Sequence, residues 1–289
     1  MKAVSIAACA AMLGLSPAVF AITVTTDTGA SPESITAAPD GDLILGSATK
    51  PTIFRAARGE TQAKPWIDVS ADGAVSFLGV LSDPATGTLW ACEIGPRGTP
   101  GVPSPSSLLS FDLNSGAAKT RWRLPGDSSL CNDFTIGPDH ALYVSDTFNS
   151  TIYRVRAGVT EGEVFIKNRA LDGIDGLTFL DGVLYANNVI GDTIWRIPVD
   201  ASGKAGTPVN IWTDQPLKGP DGMRAAAGHL YVAENGNGRD SMLTITGDKA
   251  HVTVIRTGLK RPTAIEPAGK LLWVGDRDSD NAVSIPLPH

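Results

Sequence analysis

Six times along this chain a polar cluster opening a short apolar segment is followed by a tight turn and then a strand that begins on leucine. The segments run from Pro32-Glu33-Ser34-Ile35 to Leu43, from Leu78-Gly79-Val80 to Leu89, and from Cys131-Asn132-Asp133-Phe134 to Leu142. They continue from Ile174-Asp175-Gly176-Leu177 to Leu184, from Pro220-Asp221-Gly222-Met223 to Leu230, and from Pro262-Thr263-Ala264-Ile265 to Leu272. Successive leucines lie roughly 42 to 53 residues apart, the period of a repeat that supplies one four-stranded sheet. The expectation is an all-β fold, a six-bladed β-propeller, whose inner strands gather around a central channel.

Local signals agree. Ile152-Tyr153-Arg154-Val155, Thr193-Ile194-Trp195-Arg196-Ile197 and Val252-Thr253-Val254-Ile255 cluster β-branched and aromatic residues between Gly, Asp and Pro punctuation. Hairpin turns are legible at Pro39-Asp40-Gly41, Pro84-Ala85-Thr86-Gly87, Gly137-Pro138-Asp139, Asp181-Gly182 and Ala268-Gly269. The longest irregular stretch, residues 95–105, is rich in Pro and Gly and reads as a solvated loop or a rim element. Ile22-Thr23-Val24-Thr25 and Ala282-Val283-Ser284-Ile285 both read as strands, so the termini are expected to complete one sheet and hide its edge.

Residues 1–21 carry one basic residue, Lys2, an apolar run and a small-residue exit at Val19-Phe20-Ala21, the pattern of a secretory signal cleaved after Ala21. One propeller domain over 22–289 remains, periplasmic or secreted, with no membrane span expected. Loss of Lys2 takes the formal charge from -6 to about -7, and no basic run could track a phosphate backbone, which argues against nucleic acid as a partner. Cys92 and Cys131 would then occupy an oxidising compartment, where paired and free states both remain open. Nothing in the sequence speaks to oligomeric state.

Superposed on the leucines, Glu33, Asn132, Asp175 and Asp221 fall at nearly equivalent places at the start of an inner strand. Three carboxylates and one amide form a hard, all-oxygen set suited to Ca²⁺, with another divalent metal as the alternative. Acids brought this close without a cation would repel and take up protons, so convergence itself argues for a metal. No Cys or His pair has zinc spacing, and His140, His229, His251 and His289 read as structural or solvated. Asp133, next to Asn132 in a strand, is expected to point to the opposite face.

These residues resemble the senescence-marker-protein/gluconolactonase family of calcium-dependent six-bladed propellers, whose relatives include diisopropyl fluorophosphatase and the paraoxonases. Cys131-Asn132-Asp133 with Gly137-Pro138-Asp139 is similar to that family's central Asn-Asp segment, Pro220-Asp221-Gly222-Met223 to its Asp-Gly-Met segment, and Glu33 after Pro32 to its first-blade Glu. The resemblance implies that Glu33, Asp175 and Asp221 ligate the metal while Asn132 ligates it or holds the substrate. It also implies hydrolysis of a small-molecule lactone or ester by an activated water, with Asp221 the candidate general base. Two positions depart from the pattern: Asp175 stands where the family commonly has Asn, and Thr263 stands where a mouth His would be. The competing expectation is a non-catalytic propeller resembling those built from NHL-type repeats, which Leu142-Tyr143-Val144-Ser145-Asp146-Thr147 also suggests.

Overall fold

The computed structural model describes residues 21–96 and 106–288, so the export segment lies outside the described residues but for Ala21, as does most of the 95–105 loop. A short strand, β1 (Thr23–Thr25), precedes a meander of β2 (Pro32–Ala37), β3 (Leu43–Ser47), β4 (Thr52–Ala56) and β5 (Lys64–Asp68). A second sheet holds β6 (Ser76–Asp83), β7 (Thr88–Ile94), β8 (Ser106–Asp112) and β9 (Ala118–Arg123), and a third β10 (Cys131–Ile136), β11 (Leu142–Asp146), β12 (Thr151–Val155) and β13 (Glu163–Lys167). Then come β14 (Ile174–Leu180), β15 (Val183–Asn188), β16 (Thr193–Ile197) and β17 (Val209–Thr213), followed by β18 (Pro220–Ala226), β19 (His229–Glu234), β20 (Arg239–Thr246) and β21 (Lys249–Thr257). The last three strands, β22 (Pro262–Ala268), β23 (Leu271–Asp276) and β24 (Asn281–Pro286), take β1 as their fourth, with Val24 opposite Ala282.

The first strands of these units, β2, β6, β10, β14, β18 and β22, pack against one another in chain order, and β22 returns to β2. That ring makes the molecule a β-propeller. The sheets number four of four strands and one of eight, because β17 and β21 pair in parallel through Trp212 with Lys249 and Thr213 with Ala250. The eight- and nine-residue strands β20 and β21 are long enough to overhang their own sheet and reach the neighbouring outer edge. Apolar side chains fill the spaces between consecutive sheets, as where Ile44 and Ile53 of one meet Phe77, Val80 and Leu89 of the next. A chain of this size thus buries its core as a series of thin layers around the axis.

An inner strand is an edge strand whose outward N–H groups have no ladder partner, and side chains from the neighbouring sheet supply acceptors. Ser34 Oγ accepts from Val80 N at 3.2 Å, Thr36 Oγ1 from Ser82 N at 3.1 Å and Thr178 Oγ1 from Ala225 N at 3.0 Å. A second repeated device lies four residues after each leucine anchor, at Ser47, Glu93, Asp146, Asn188, Glu234 and Asp276. Most of these side chains tie down the segment leading into the inner strand: Asp146 accepts from Leu130 N at 3.0 Å, Glu234 from Lys218 N at 2.9 Å, and Asp276 from Lys260 N and Arg261 N at 2.9 Å each.

Each inner strand also carries a β-bulge at the same place. The register jumps between Pro32 and Ile35, Phe77 and Val80, Cys131 and Phe134, Ile174 and Leu177, Pro220 and Met223, and Pro262 and Ala264. A bulge leaves its extra residue unpaired and breaks the strand's alternation, so two neighbouring side chains can share a face. Here that face is the channel.

Candidate functional site

The bulges deliver Glu33, Asn132, Asp175 and Asp221 to one cavity of about 10 Å³, space for a single small ion or water. All four expected residues are brought together there, with Thr263 from β22 beside them. The residue after the ring position must be small where inner strands crowd the axis: a Cβ on Gly176 would lie 2.6 Å from Asp221 O, and one on Gly222 would run into Thr263 O. The Asp-Gly pairs at 175–176 and 221–222 are therefore close-approach devices within strands.

Asp133 corrects the expectation drawn from strand alternation. It sits in the bulge and also lines the cavity, with its carboxylate accepting from Arg224 Nη1 at 2.7 Å and Nη2 at 3.0 Å across the channel. Arg224 Nε lies 3.5 Å from Glu266 Oε2, and Glu266 Oε1 accepts from Ala37 N at 3.1 Å. This triad spans three inner strands, β10, β18 and β22, and its Asp133 and Arg224 give the cavity wall a fixed ion pair. Among carboxylates, burial pushes Glu266 up against the pull of Arg224, while Asp133 and Glu266 hold the Arg224 guanidinium firmly protonated despite its burial.

The ring acids carry a heavier electrostatic load. Asp175 is pushed well above the usual carboxylate range by burial first and then by the charges of Glu33 and Asp133. Asp221 is raised likewise by burial, then by Asp175 and Glu33. Glu33 is raised by burial, opposed chiefly by Arg277 and Arg261. Protein donors already hold several of these groups: Arg277 Nη1 donates to Glu33 Oε2 at 2.8 Å, Asn235 Nδ2 to Asp221 Oδ2 at 2.6 Å and Asn132 Nδ2 to Thr147 Oγ1 at 3.0 Å. Accordingly, among the described residues no three His, Cys, Asp or Glu side chains stand as a ready-made metal cluster. By donor chemistry the site nonetheless fits a hard divalent cation, since every ring donor but the Asn amide nitrogen is oxygen and the three ring acids outnumber Arg277, the one guanidinium among the described residues that is hydrogen-bonded to them.

Sequence reasoning missed Arg224, Glu266 and Arg277, whose importance depends on which strands face each other across the axis. It also left the cysteines open. They form a Cys92–Cys131 disulfide, Cα–Cα 5.2 Å, joining β7 to β10 directly before Asn132. Of the histidines, His140 occupies a left-handed turn at φ 59°, His229 Nδ1 meets Thr244 Oγ1 at 3.0 Å, and His251 Nδ1 meets Asp214 Oδ2 at 2.5 Å. None lines the cavity. His289 lies outside the described residues, and no helix among them is long and apolar enough to cross a membrane.

No known protein family and no curated protein sequence matches the chain. Solved structures do. A protein described as a candidate gluconolactonase superposes with TM-score 0.67 at 19% identity over 93% of this chain and 94% of that one. Virginiamycin B lyase from Staphylococcus aureus gives 0.63 at 16% identity, covering 93% of this chain and 99% of the lyase. A chain of the nidogen/laminin complex gives 0.66 at 20% identity, covering 86% and 90%. At such identities the likeness establishes what the geometry already shows, that this chain is a β-propeller.

Proposed function

We propose that the protein is a divalent-cation-dependent hydrolase, a lactonase or esterase of the gluconolactonase type acting on a small molecule. The observation that carries this reading is the convergence of three buried carboxylates and an amide, from four separate inner strands, on one ion-sized cavity. Glu33, Asn132, Asp175 and Asp221 would hold Ca²⁺, which when bound supplies Lewis-acid polarisation of an ester carbonyl and stabilises the developing oxyanion. Asp221 acts as general base toward the attacking water. Its Oδ2 accepts from Asn235 Nδ2 at 2.6 Å, which fixes the carboxyl where it lines the cavity. Asn132, anchored through Thr147, orients the substrate, and the Arg224–Asp133 pair, backed by Glu266, holds a fixed charge arrangement in the cavity wall.

In this reading the propeller has six blades, the eight-stranded sheet being two meanders bridged at their outer edges. Export to a periplasmic or extracellular space is part of the proposal and draws support from the buried Cys92–Cys131 disulfide, which persists in oxidising compartments. The test is hydrolysis of an aldonolactone by the purified protein before chelation, after chelation, and after restoring CaCl₂. Activity is expected to vanish and return, and Asp221→Ala is expected to be folded and inactive. Turnover indifferent to the chelator, or full turnover in Asp221→Ala, counts against the assignment. A non-catalytic binding propeller is the second reading, favoured by the protein donors that already satisfy Glu33 and Asp221. Calcium-independent folding with no hydrolysis of any lactone or ester would support it.

A further inference from the structure

Two arginines reach the ring from opposite directions, and they are built differently. Arg224 is 8% exposed and locked by two bonds to Asp133, one to Met223 O and the ion pair with Glu266. It cannot leave without stranding buried acids. Arg277 comes from the solvent side, in the turn after β23, with its side chain 28% exposed against 10% for Glu33. Its backbone is pinned by donation to Arg261 O at 3.0 Å, whereas among the described residues its guanidinium makes a single side-chain hydrogen bond, to Glu33 Oε2. A long side chain with a fixed root and one contact can swing into solvent at small cost, where its charge is well hydrated.

We propose that Arg277 is the protein's own occupant of the cation site, neutralising Glu33 while no divalent ion is bound and releasing that carboxylate when one enters. The inference rests on the hydrolase reading and adds a control to the same site. It explains why the ring acids converge without forming a ready cluster: one of the intended ligands is held by an internal cation. Among the described residues the Arg277 guanidinium bonds Glu33 alone, while the compensation that Asp175 draws from Arg224 and Asp221 from Arg277 is smaller than the effect of their burial, so the cation-free ring is poised to exchange a single positive charge for a double one. Arg277 thereby lowers the apparent affinity for calcium, because only molecules with Glu33 released are competent to bind it fully. It also returns to the carboxylate as the ion departs.

The test is calorimetric titration of CaCl₂ into the wild-type protein, Arg277→Gln, Glu33→Gln and the double variant, with a melting curve on each to establish folding. Losing a charge-assisted, partly exposed competitor is expected to tighten calcium binding about tenfold in Arg277→Gln. In the Glu33→Gln background the same change is expected to have less than about a twofold effect, since the competed carboxylate is gone. Equal affinities for wild type and Arg277→Gln, or weaker binding by the variant, would overturn the proposal while leaving the cation site standing. Equal tightening in both backgrounds would also overturn it, by showing a general field effect. If no variant takes up calcium, the cation site and the hydrolase reading both fall. Arg277→Ala serves in place of Arg277→Gln if the latter melts early.

Discussion

Asp240 offers a sharp test of how this fold handles charge. In three sister units the corresponding cross-strand pair is Ile53 with Ile67, Ile152 with Ile166 and Ile194 with Ile211, whereas β20 and β21 place Asp240 opposite Arg256. Asp240 is 0% exposed, and among the described residues neither of its carboxylate oxygens has a hydrogen-bond partner and Arg256 Nη1 is likewise unpartnered. Burial pushes its carboxyl from 3.8 up to about 8, opposed by Arg256 and reinforced by Glu234 and Asp276. Between these values the folded protein keeps a proton that the unfolded chain releases, so stability is highest near the unfolded value and falls as pH rises to the folded one. The slope is about 1.4 kcal/mol per pH unit, or about 3 kcal/mol between pH 5 and 7. Asp240→Asn abolishes this group's contribution, and comparison with wild type cancels what the ring acids contribute. Urea unfolding at pH 5, 6, 7, 8 and 9 should show the variant gaining on wild type by about 3 kcal/mol from pH 5 to 7 and levelling off above about pH 8. Parallel pH profiles for the two proteins would refute the buried, proton-retaining carboxyl.

The other expectations are structural. Arg224→Met strands Asp133 and Glu266 without their shared cation and should cost about 3 to 5 kcal/mol in urea unfolding, with Asp133→Asn in the same chain recovering part of the loss; a cost below about 1 kcal/mol would mean that the triad is not closed in solution. Cys92→Ser opens a cross-link between residues 39 apart in sequence and should lower stability by about 4 kcal/mol on the chain-entropy account. Wild type should lose a similar amount in reductant, and insensitivity to reductant would show that the thiols are unpaired.

What was legible in the sequence is what repeats. The leucine anchors recur in every unit and turn residues in most, and the ring position holds Glu33, Asn132, Asp175 and Asp221 because one backbone geometry is reused, so finding the position finds the residues that line the cavity. Alternation failed at Asp133 because a bulge is a property of pairing between strands, and its trace in the sequence is indirect: a small residue such as Ser34, Gly79, Gly176 or Gly222 after the ring position, to which Asp133 is the exception. The polar residues four places after the leucines, from Ser47 to Asp276, were visible as a pattern that periodicity arguments about apolar faces pass over. Arg224 and Arg277 could not be read ahead, since each joins units distant in sequence, and the Cys92–Cys131 bond was left open because it depends on how two consecutive sheets face each other.

The pairing of β1 with β24 has a consequence for how the chain reaches this state. Thr25 and Asn281 pair across nearly the whole described chain, so the clasp is among the most non-local contacts available and is expected to engage late. Until it does, β24 offers a bare row of amides and carbonyls to any passing strand, including the leading strand of another copy. The three residues of β1 thus govern whether the ring closes on its own strand or exchanges ends with a neighbour.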